Sequence, residues 1–534
     1  MLETTRAYRG MVVAPHHLAA DAGLSILRDV GNAIEAMVAA AAAIAAVYPH
    51  MNGLGGDNFW LIAEPGKTPV GIDACGRSAG FASADFYRSN GARDLIPSRG
   101  PLAALTVAGA VSGWQAALEI SRSWGGRMPL LRLLEDAIAH ARDGFPVPRS
   151  LNENTAAKRP ELEAVPGFAA TFLPGGQTPG RNTRLANVPL SATLKRLAEA
   201  GLEDFYRGDL ARTIAKDLGS AGSPLRLEDL QAHHAEPMAP LTLELSPGSV
   251  FNLPPPTQGI ASLTLLGLFF ALKKPKLDSF GYVHGLVEAT KQAFLVRDAL
   301  VTDPAHVTAD LASFLSPAAL KQRAAAIDAR SALPWPAPAR KGDTVWLGAV
   351  DREGRAVSFI QSLYWEFGSG LVLPSTGIVW QNRGVSFSLD AKHLNALQPR
   401  RKPFHTIQPA LARLKDGRTM VYGTMGGDGQ PQTQAMIFTR HVVYGQQLQE
   451  AINAPRWLLG RTWGSAVANL RIESRFSPRT IAGLREAGHD VAVVGPFEEC
   501  MGHAGALVLH RGGERQGLIE GAADPRGDGR AAAF

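Results

Sequence analysis

The sequence predicts an α/β (α+β) protein built as a four-layer αββα sandwich. Three observations lead there. Helical apolar periods dominate from about Leu105 to Arg330, as in "LLRLLEDAIAHARDGF" and "VHGLVEATKQAFLVRDAL". After Thr344 the chain turns to runs rich in β-branched and aromatic residues with Gly-containing turns between them: "TVWLGAVD", "AVSFIQSLYW", "GLVLPSTGIVWQN" and "TMVYGTM". Helices then return at "QTQAMIFTRHVVY" and "SPRTIAGLREAGH", which gives the strands helices on both outer faces.

Taken in order, "GMVVAPHHLAADAGLSILRDVGNAIEAMVAAAAAIAAVYP" reads as a short strand followed by two helices. The first helix sets Leu18, Ala22, Ile26 and Leu27 on one face and closes at Gly31-Asn32. The second, from Ala33, consists almost wholly of small residues. Glu35 interrupts it and Pro49 ends it, so it is expected to be a buried helix and not a membrane span. "FWLIAEPGKTPVGIDAC" is a β-hairpin about a Pro-Gly turn. The clearest linker is the proline-rich stretch 331–343, "SALPWPAPARKGD", with Pro334, Pro336 and Pro338 close together. No repeat of solenoid period occurs.

A chain of 534 residues exceeds one ordinary core, so two lobes or one large multilayer unit is expected. With 46% hydrophobic and 19% charged residues, the composition is that of a globular enzyme and excludes a disordered or fibrous chain. The net charge of +6 is mild for this length and no block of basic residues concentrates it, so nucleic acid is not an expected partner. The two cysteines, Cys75 and Cys500, point to a reducing compartment. The N-terminal segment lacks a basic region leading into an apolar one, so a cytoplasmic location without membrane association is expected.

Thr344 is the first candidate for chemistry. Chain breaks are tolerated at exposed loop tips, and the proline-rich linker presents the Asp343–Thr344 bond there. Released as a new N-terminus, Thr344 would carry its own α-amine beside its hydroxyl, the pairing of nucleophile and base used in covalent catalysis. The same hydroxyl could first attack the Asp343 carbonyl and convert the peptide to an ester. In "VYGTMGGDGQPQTQ", Gly426 and Gly427 lie between a strand and a helix, where two unhindered N–H groups can form an oxyanion hole. A nucleotide loop is disfavoured because neither Walker nor G-x-G-x-x-G spacing is present, and Gly53 to Gly56 alone is a weak signal. The adjacent pairs His16-His17 and His233-His234 cannot chelate one metal, no G-x-S-x-G elbow occurs, and no metal or organic cofactor is expected.

With these residues in place, the chain resembles the γ-glutamyltransferase family of N-terminal-nucleophile hydrolases. The likeness runs nearly end to end, through "GNAIEAMVAAAAAIAAVYPHMNGLGGDNFWLI", "EDAIAHARDGFPV", "LRLEDLQAHHAEPMAPL", "PPPTQG", "HGLVEATKQAFLVRD", "TVWLGAVDREGRAVSFIQSLYWEFGSG", "TMGGDG" and "GAADPRGDGRA". It implies self-cleavage into a large subunit, 1–343, and a small one, 344–534. These would remain together as a heterodimer, alone or as a dimer of such pairs. It also implies acyl transfer from a small-molecule amide through a threonyl ester, with Gly426 and Gly427 as oxyanion amides. Ser362 stands where the family has a supporting threonine, and His405-Thr406 replaces its Ser-Ser pair.

The departures bear on substrate. Thr344-Val345-Trp346 replaces Thr-Thr-His of the family's transpeptidases. The arginine that clamps a glutamyl carboxylate becomes Cys75, with Arg77 two places on, and an asparagine becomes Tyr364. The Gln and Asp of the amine subsite become Arg383 and Ser386. A glutamyl zwitterion would face unmatched groups, whereas Arg383 and Arg77 suit a lone carboxylate, with Trp346 and Tyr364 narrowing the pocket. The pattern resembles the divergent branch of the family that releases ammonia from very small amide-acids such as oxamate. A γ-glutamyl hydrolase or transpeptidase, an acylase for larger amides, and an inactive, uncleaved family member are the alternatives.

Overall fold

The computed structural model describes residues 3–335, 343–460 and 469–534. Pro336 and Pro338, with most of the linker before Thr344, lie outside the described residues. Two seven-stranded sheets dominate, and every ladder within them is antiparallel. One sheet runs Thr5–Ala7, Ile519–Ala523, Ala504–Leu509, Thr419–Thr424, Ala410–Leu414, Gly248–Asn252, Leu241–Leu245. The other runs Arg530–Ala533, Met11–Ala14, Asp343–Val350, Ala356–Tyr364, Asp57–Ala63, Val70–Ala74, Glu236–Met238.

Period-two alternation sorts the strand residues between layers. Met11, Val13, Phe59, Leu61 and Trp346 meet Leu411, Val421 and Leu507 between the sheets. Val12, Trp60, Val345 and Leu347 face outward, onto a core shared with the helices His17–Arg28, Ala33–Val47 and Leu130–Asp143. On the far side Ala412, Met420, Tyr422 and Val508 pack against Gly259–Ala271, Phe280–Leu300 and Gly429–Phe438. This is the expected αββα sandwich.

All fifteen residues of Ala33–Val47 are buried, and Asn32 with Glu35 forms a capping box at its start. Small side chains are required because neighbours approach closely: a Cβ at Gly23 of the preceding helix would lie 2.9 Å from the Ala36 carbonyl oxygen. No helix among the described residues is long and apolar enough to cross a membrane. The preceding helix ends at Arg28, and it is the exposed Val30, at φ 67°, and not Gly31 that takes the left-handed position.

Three expectations are corrected. The stretch from Leu105 to Arg330 also supplies the strands Glu236–Met238, Leu241–Leu245 and Gly248–Asn252. "GLVLPSTGIVWQN" is not a sheet strand: Gly370 and Gly377 adopt positive φ, and the segment makes only isolated bridges, Val372 to Val379 and Gly55 to Trp380. The third concerns Trp346, which is a core residue. Its ring is 2% exposed and donates to the Ser358 hydroxyl at 3.0 Å. It fills the inter-sheet space over Gly348, Gly423 and Gly505, where a Cβ would overlap it.

Candidate active site

Thr344 lies on the inter-sheet face of the central strand Asp343–Val350 and is 1% exposed. Asp343 pairs with Tyr364 and Val345 with Gln361, so Thr344 alone faces Ser362 and Leu363 across a β-bulge. Such an extra residue re-aims side chains, and bulges are common beside active sites. Here Ser362 is turned to the threonine: the Thr344 hydroxyl donates to Ser362 Oγ at 3.4 Å, and Ser362 Oγ accepts the Tyr364 N–H at 2.8 Å. Tyr364 absorbs the bend with φ 83°.

Gln430 was not singled out from the sequence. It approaches from the helix Gly429–Phe438, and its amide Nε2 donates to Thr344 Oγ1 at 3.4 Å. Its Oε1 accepts the Gln408 N–H at 3.1 Å, which fixes the orientation of the amide.

The turn between strand and helix carries Gly426 at φ 113° and Gly427 at φ 51°. Neither N–H donates to a protein acceptor among the described residues, whereas both carbonyls are bonded. Gly426 O accepts the Gly429 N–H at 2.7 Å, and Gly427 O accepts Gln258 Nε2 at 2.9 Å. The two amides are therefore left available while the turn is held from behind. Its support runs through Gln258, whose Oε1 accepts from Arg297 Nη1 at 2.9 Å, and Arg297 also pairs with Asp428 at 2.7 Å. Gln258 and Arg297 lie in two of the segments of family likeness, but nothing in their spacing marks them as partners.

Arg383 is fully buried, and burial pulls its pKa down to about 10. Its guanidinium stacks 3.9 Å from the Tyr364 ring centroid, and Nη1 donates to Thr406 Oγ1 at 3.5 Å. Nε and Nη2, the edge that grips a carboxylate in two parallel bonds, have no protein partner among the described residues. Thr406 is tied to the glycine turn, since Gln258 Nε2 donates to its carbonyl at 2.5 Å.

His405 is also fully buried, with its Nε2 3.3 Å from Asp57 Oδ2, without hydrogen-bond alignment. Burial, with Arg383 and Lys402 nearby, drives its pKa well below the usual range, so the ring is neutral. Asp57, another residue the sequence reading passed over, pairs in register with Ser362 on the adjacent strand. Burial lifts its pKa to about 7, partly offset by Arg383 and by the N–H groups of Gly76 and Gly109.

Cys75 belongs to this cluster and Arg77 does not. Cys75, Asp57 and His405 bring ligand-type atoms within 4.8 Å of one another, but the neighbouring Arg383 cation opposes a second positive charge there. A second such group, His284, Glu288 and His489, already holds the Lys291 ammonium, 2.6 Å from Glu288 Oε1. Arg77 pairs with Asp303 at 3.3 Å and lines, with Cys75, Asp229, His233 and Lys402, a cavity of about 70 Å³. The Arg526-Gly-Asp triplet is structural, with Arg526 buried against Glu473 and Asp524.

The assembled group is a hydroxyl held between two polar side chains, with two free amides and a one-sided guanidinium linked to it through Gln258, Thr406 and Tyr364. A family model described as Gamma-glutamyltranspeptidase matches residues 19–534. The oxamate amidohydrolase proenzyme of Klebsiella pneumoniae is 56% identical over 98% of both chains. A glutathione hydrolase-like proenzyme, YwrD, of Bacillus subtilis is 42% identical over the same share of each. A cephalosporin acylase from Bacillus halodurans superposes with a TM-score of 0.91 at 31% identity, covering 100% of this chain and 97% of its own.

Proposed function

The chain belongs to the gamma-glutamyltranspeptidase family, and from that premise we propose that it is an autoprocessing amidohydrolase acting on a small amide-acid such as oxamate, with release of ammonia. In processing, Thr344 Oγ attacks the Asp343 carbonyl, the peptide shifts to an ester, and water opens it. The freed α-amine then takes the hydroxyl proton as Oγ attacks the substrate amide. Gly426 and Gly427 donate to the oxyanion, Ser362 orients the nucleophile, ammonia departs with the proton, and water hydrolyses the threonyl ester. Arg383 holds the substrate carboxylate.

The unpartnered Nε–Nη2 edge of Arg383 carries this reading. A buried guanidinium whose gripping edge has no hydrogen-bonded anion costs on the order of several kcal/mol, and a substrate carboxylate would supply that anion. The enclosing Tyr364 ring and the low exposure of Thr344 favour a substrate of few atoms. Fragments 1–343 and 344–534 would stay associated as one αββα unit. The two unpaired cysteines support a cytoplasmic setting. The decisive experiment is a panel measuring ammonia release from oxamate beside nitroanilide release from a γ-glutamyl donor and hydrolysis of a cephalosporin side chain. Oxamate turnover alone is expected; a strong rate on either larger substrate with none on oxamate moves the assignment to the γ-glutamyl hydrolases or to the acylases, the reading favoured by the close superposition.

A further inference from the structure

Arg383 and three neighbouring side chains keep buried polar atoms without a hydrogen-bond partner among the described residues: Arg383 Nε and Nη2, Asp57 Oδ2 and the ring nitrogens of His405, which meet at 3.3 Å without alignment, and Gln381 Oε1. Buried polar atoms are nearly always paired, so this concentration marks a place built to be filled. Asp57 stands out within it. Oδ1 is pinned by the N–H groups of Gly76 at 3.1 Å and Gly109 at 3.0 Å, which leaves Oδ2 facing the cluster. Its charge is coupled to the same guanidinium that would receive the substrate.

Ionised Asp57 and a substrate carboxylate are therefore rivals for one cation. Both together would place two anions and one cation in a dry site, at a Coulombic cost that low dielectric magnifies. We propose that Asp57 is a proton-linked specificity residue: as the substrate carboxylate takes over Arg383, Asp57 binds one proton from solvent and presents a neutral carboxyl to the ligand. This rests on the function proposed above and deepens it, because it selects monoanionic amide-acids. A substrate with a second carboxylate would bring a charge that one proton cannot offset.

The other ionisable groups around Arg383, Asp73 apart, do not titrate in the same range. His405 is neutral through burial, and Cys75 is raised well above its usual range by burial and by Asp57 and Asp73. Tyr206 is raised by burial, Arg383 remains charged at about 10, and Lys402 is raised by Asp73. Asp57 sits at about 7, whereas Asp73, also raised by burial, is held in its ion pair with Lys402 at 2.7 Å and does not face Arg383's open edge as a rival. Below that value the proton is already present and binding takes up none. Above it each carboxylate bound draws in one proton, and affinity falls about tenfold per pH unit.

The test is calorimetric titration of the mature enzyme with pyruvate, which carries a methyl in place of the amide nitrogen of oxamate and cannot be hydrolysed. Runs at about pH 6 and about pH 8.5, each in two buffers of different ionisation heat, count the protons. Near-zero uptake at the lower pH and about one proton at the higher is expected, with the uptake lost and the affinity made flat with pH in Asp57→Asn. If that variant does not fold, the wild-type proton count and the pH dependence of KM against kcat still decide. Binding without uptake at the higher pH, uptake that persists in Asp57→Asn, or no pyruvate binding by an enzyme that turns over oxamate would each overturn the role of Asp57 and leave the amidohydrolase reading standing. No ammonia from oxamate would instead overturn the reading of function.

Discussion

Ser362 and Gln430 both contact the Thr344 hydroxyl, and the two contacts differ in consequence. Ser362 accepts, so Ser362→Ala removes the group that orients the nucleophile and also frees the Tyr364 N–H. Slower self-cleavage and a kcat lowered by about 10- to 100-fold are expected, with Ser362→Thr restoring most of both, as followed by gel and by ammonia release. Arg383→Met should instead act on binding. Losing a charge-assisted contact of about 1.5–3 kcal/mol raises KM for a carboxylate substrate about 10- to 100-fold, with a smaller change in kcat. An equal loss in kcat would assign Arg383 to the transition state. Thr344, Ser362 and Gly426-Gly427 stand inside quoted blocks of family likeness, and Arg383 and His405 at positions where the family's residues are replaced, so each could be singled out from the sequence. Asp57, Gln258 and Gln430 were not, because a buried polar residue inside a glycine or apolar run carries no periodicity. Their partners lie tens to hundreds of residues away, and only the fold brings them together.

Runs of β-branched and aromatic residues were the most readable feature at the level of elements, and the structure sorts them by alternation, with Phe59/Trp60 and Val345/Trp346 facing different layers. The same signal misled at residues 370–382, where Leu371, Val372, Ile378 and Val379 are apolar because the loop is buried, and two positive-φ glycines keep it from extending. "LTLEL" and "GSVFN" escaped notice as strands because they are short and lie among long helices. Trp346 was assigned to the pocket wall by its neighbourhood in sequence, yet the three facing glycines show what it requires. Gly423→Ala should push a methyl into its ring and cost about 1–3 kcal/mol, and trimming the ring in Trp346→Phe/Gly423→Ala should recover part of that loss in a denaturant titration. At the first helix end, exposed Val30 is a β-branched residue at φ 67°. Val30→Gly relieves a left-handed cost of about 1–2 kcal/mol against an entropic cost of about 0.5–1, so a slightly raised melting temperature is expected.

For the whole molecule, a cut at Asp343–Thr344 would not divide it into two bodies. The strand that begins at the cut lies between Met11–Ala14, from the first fragment, and Ala356–Tyr364, from the second. The other sheet likewise takes Thr5–Ala7, Leu241–Leu245 and Gly248–Asn252 from the first fragment and its remaining strands from the second. Both sheets and the helical layer of Gly259–Ala271, Phe280–Leu300 and Gly429–Phe438 are shared, so one hydrolysed bond leaves the sheet ladders and the inter-sheet core intact while making the folded state bimolecular. Two chains should therefore appear in intact-mass spectra and co-elute on native gel filtration, whereas Thr344→Ala should remain one chain. Unfolding supplies a sharper distinction. A cut heterodimer releases two chains on melting, so by mass action its melting temperature must fall as the protein is diluted, and that of uncut Thr344→Ala must not. Scans over a hundredfold concentration range would show the difference. A wild-type protein whose melting is independent of concentration, and whose mass is that of the full chain, would show that Thr344 never becomes an N-terminus, and with that the proposed pairing of hydroxyl and amine would be lost.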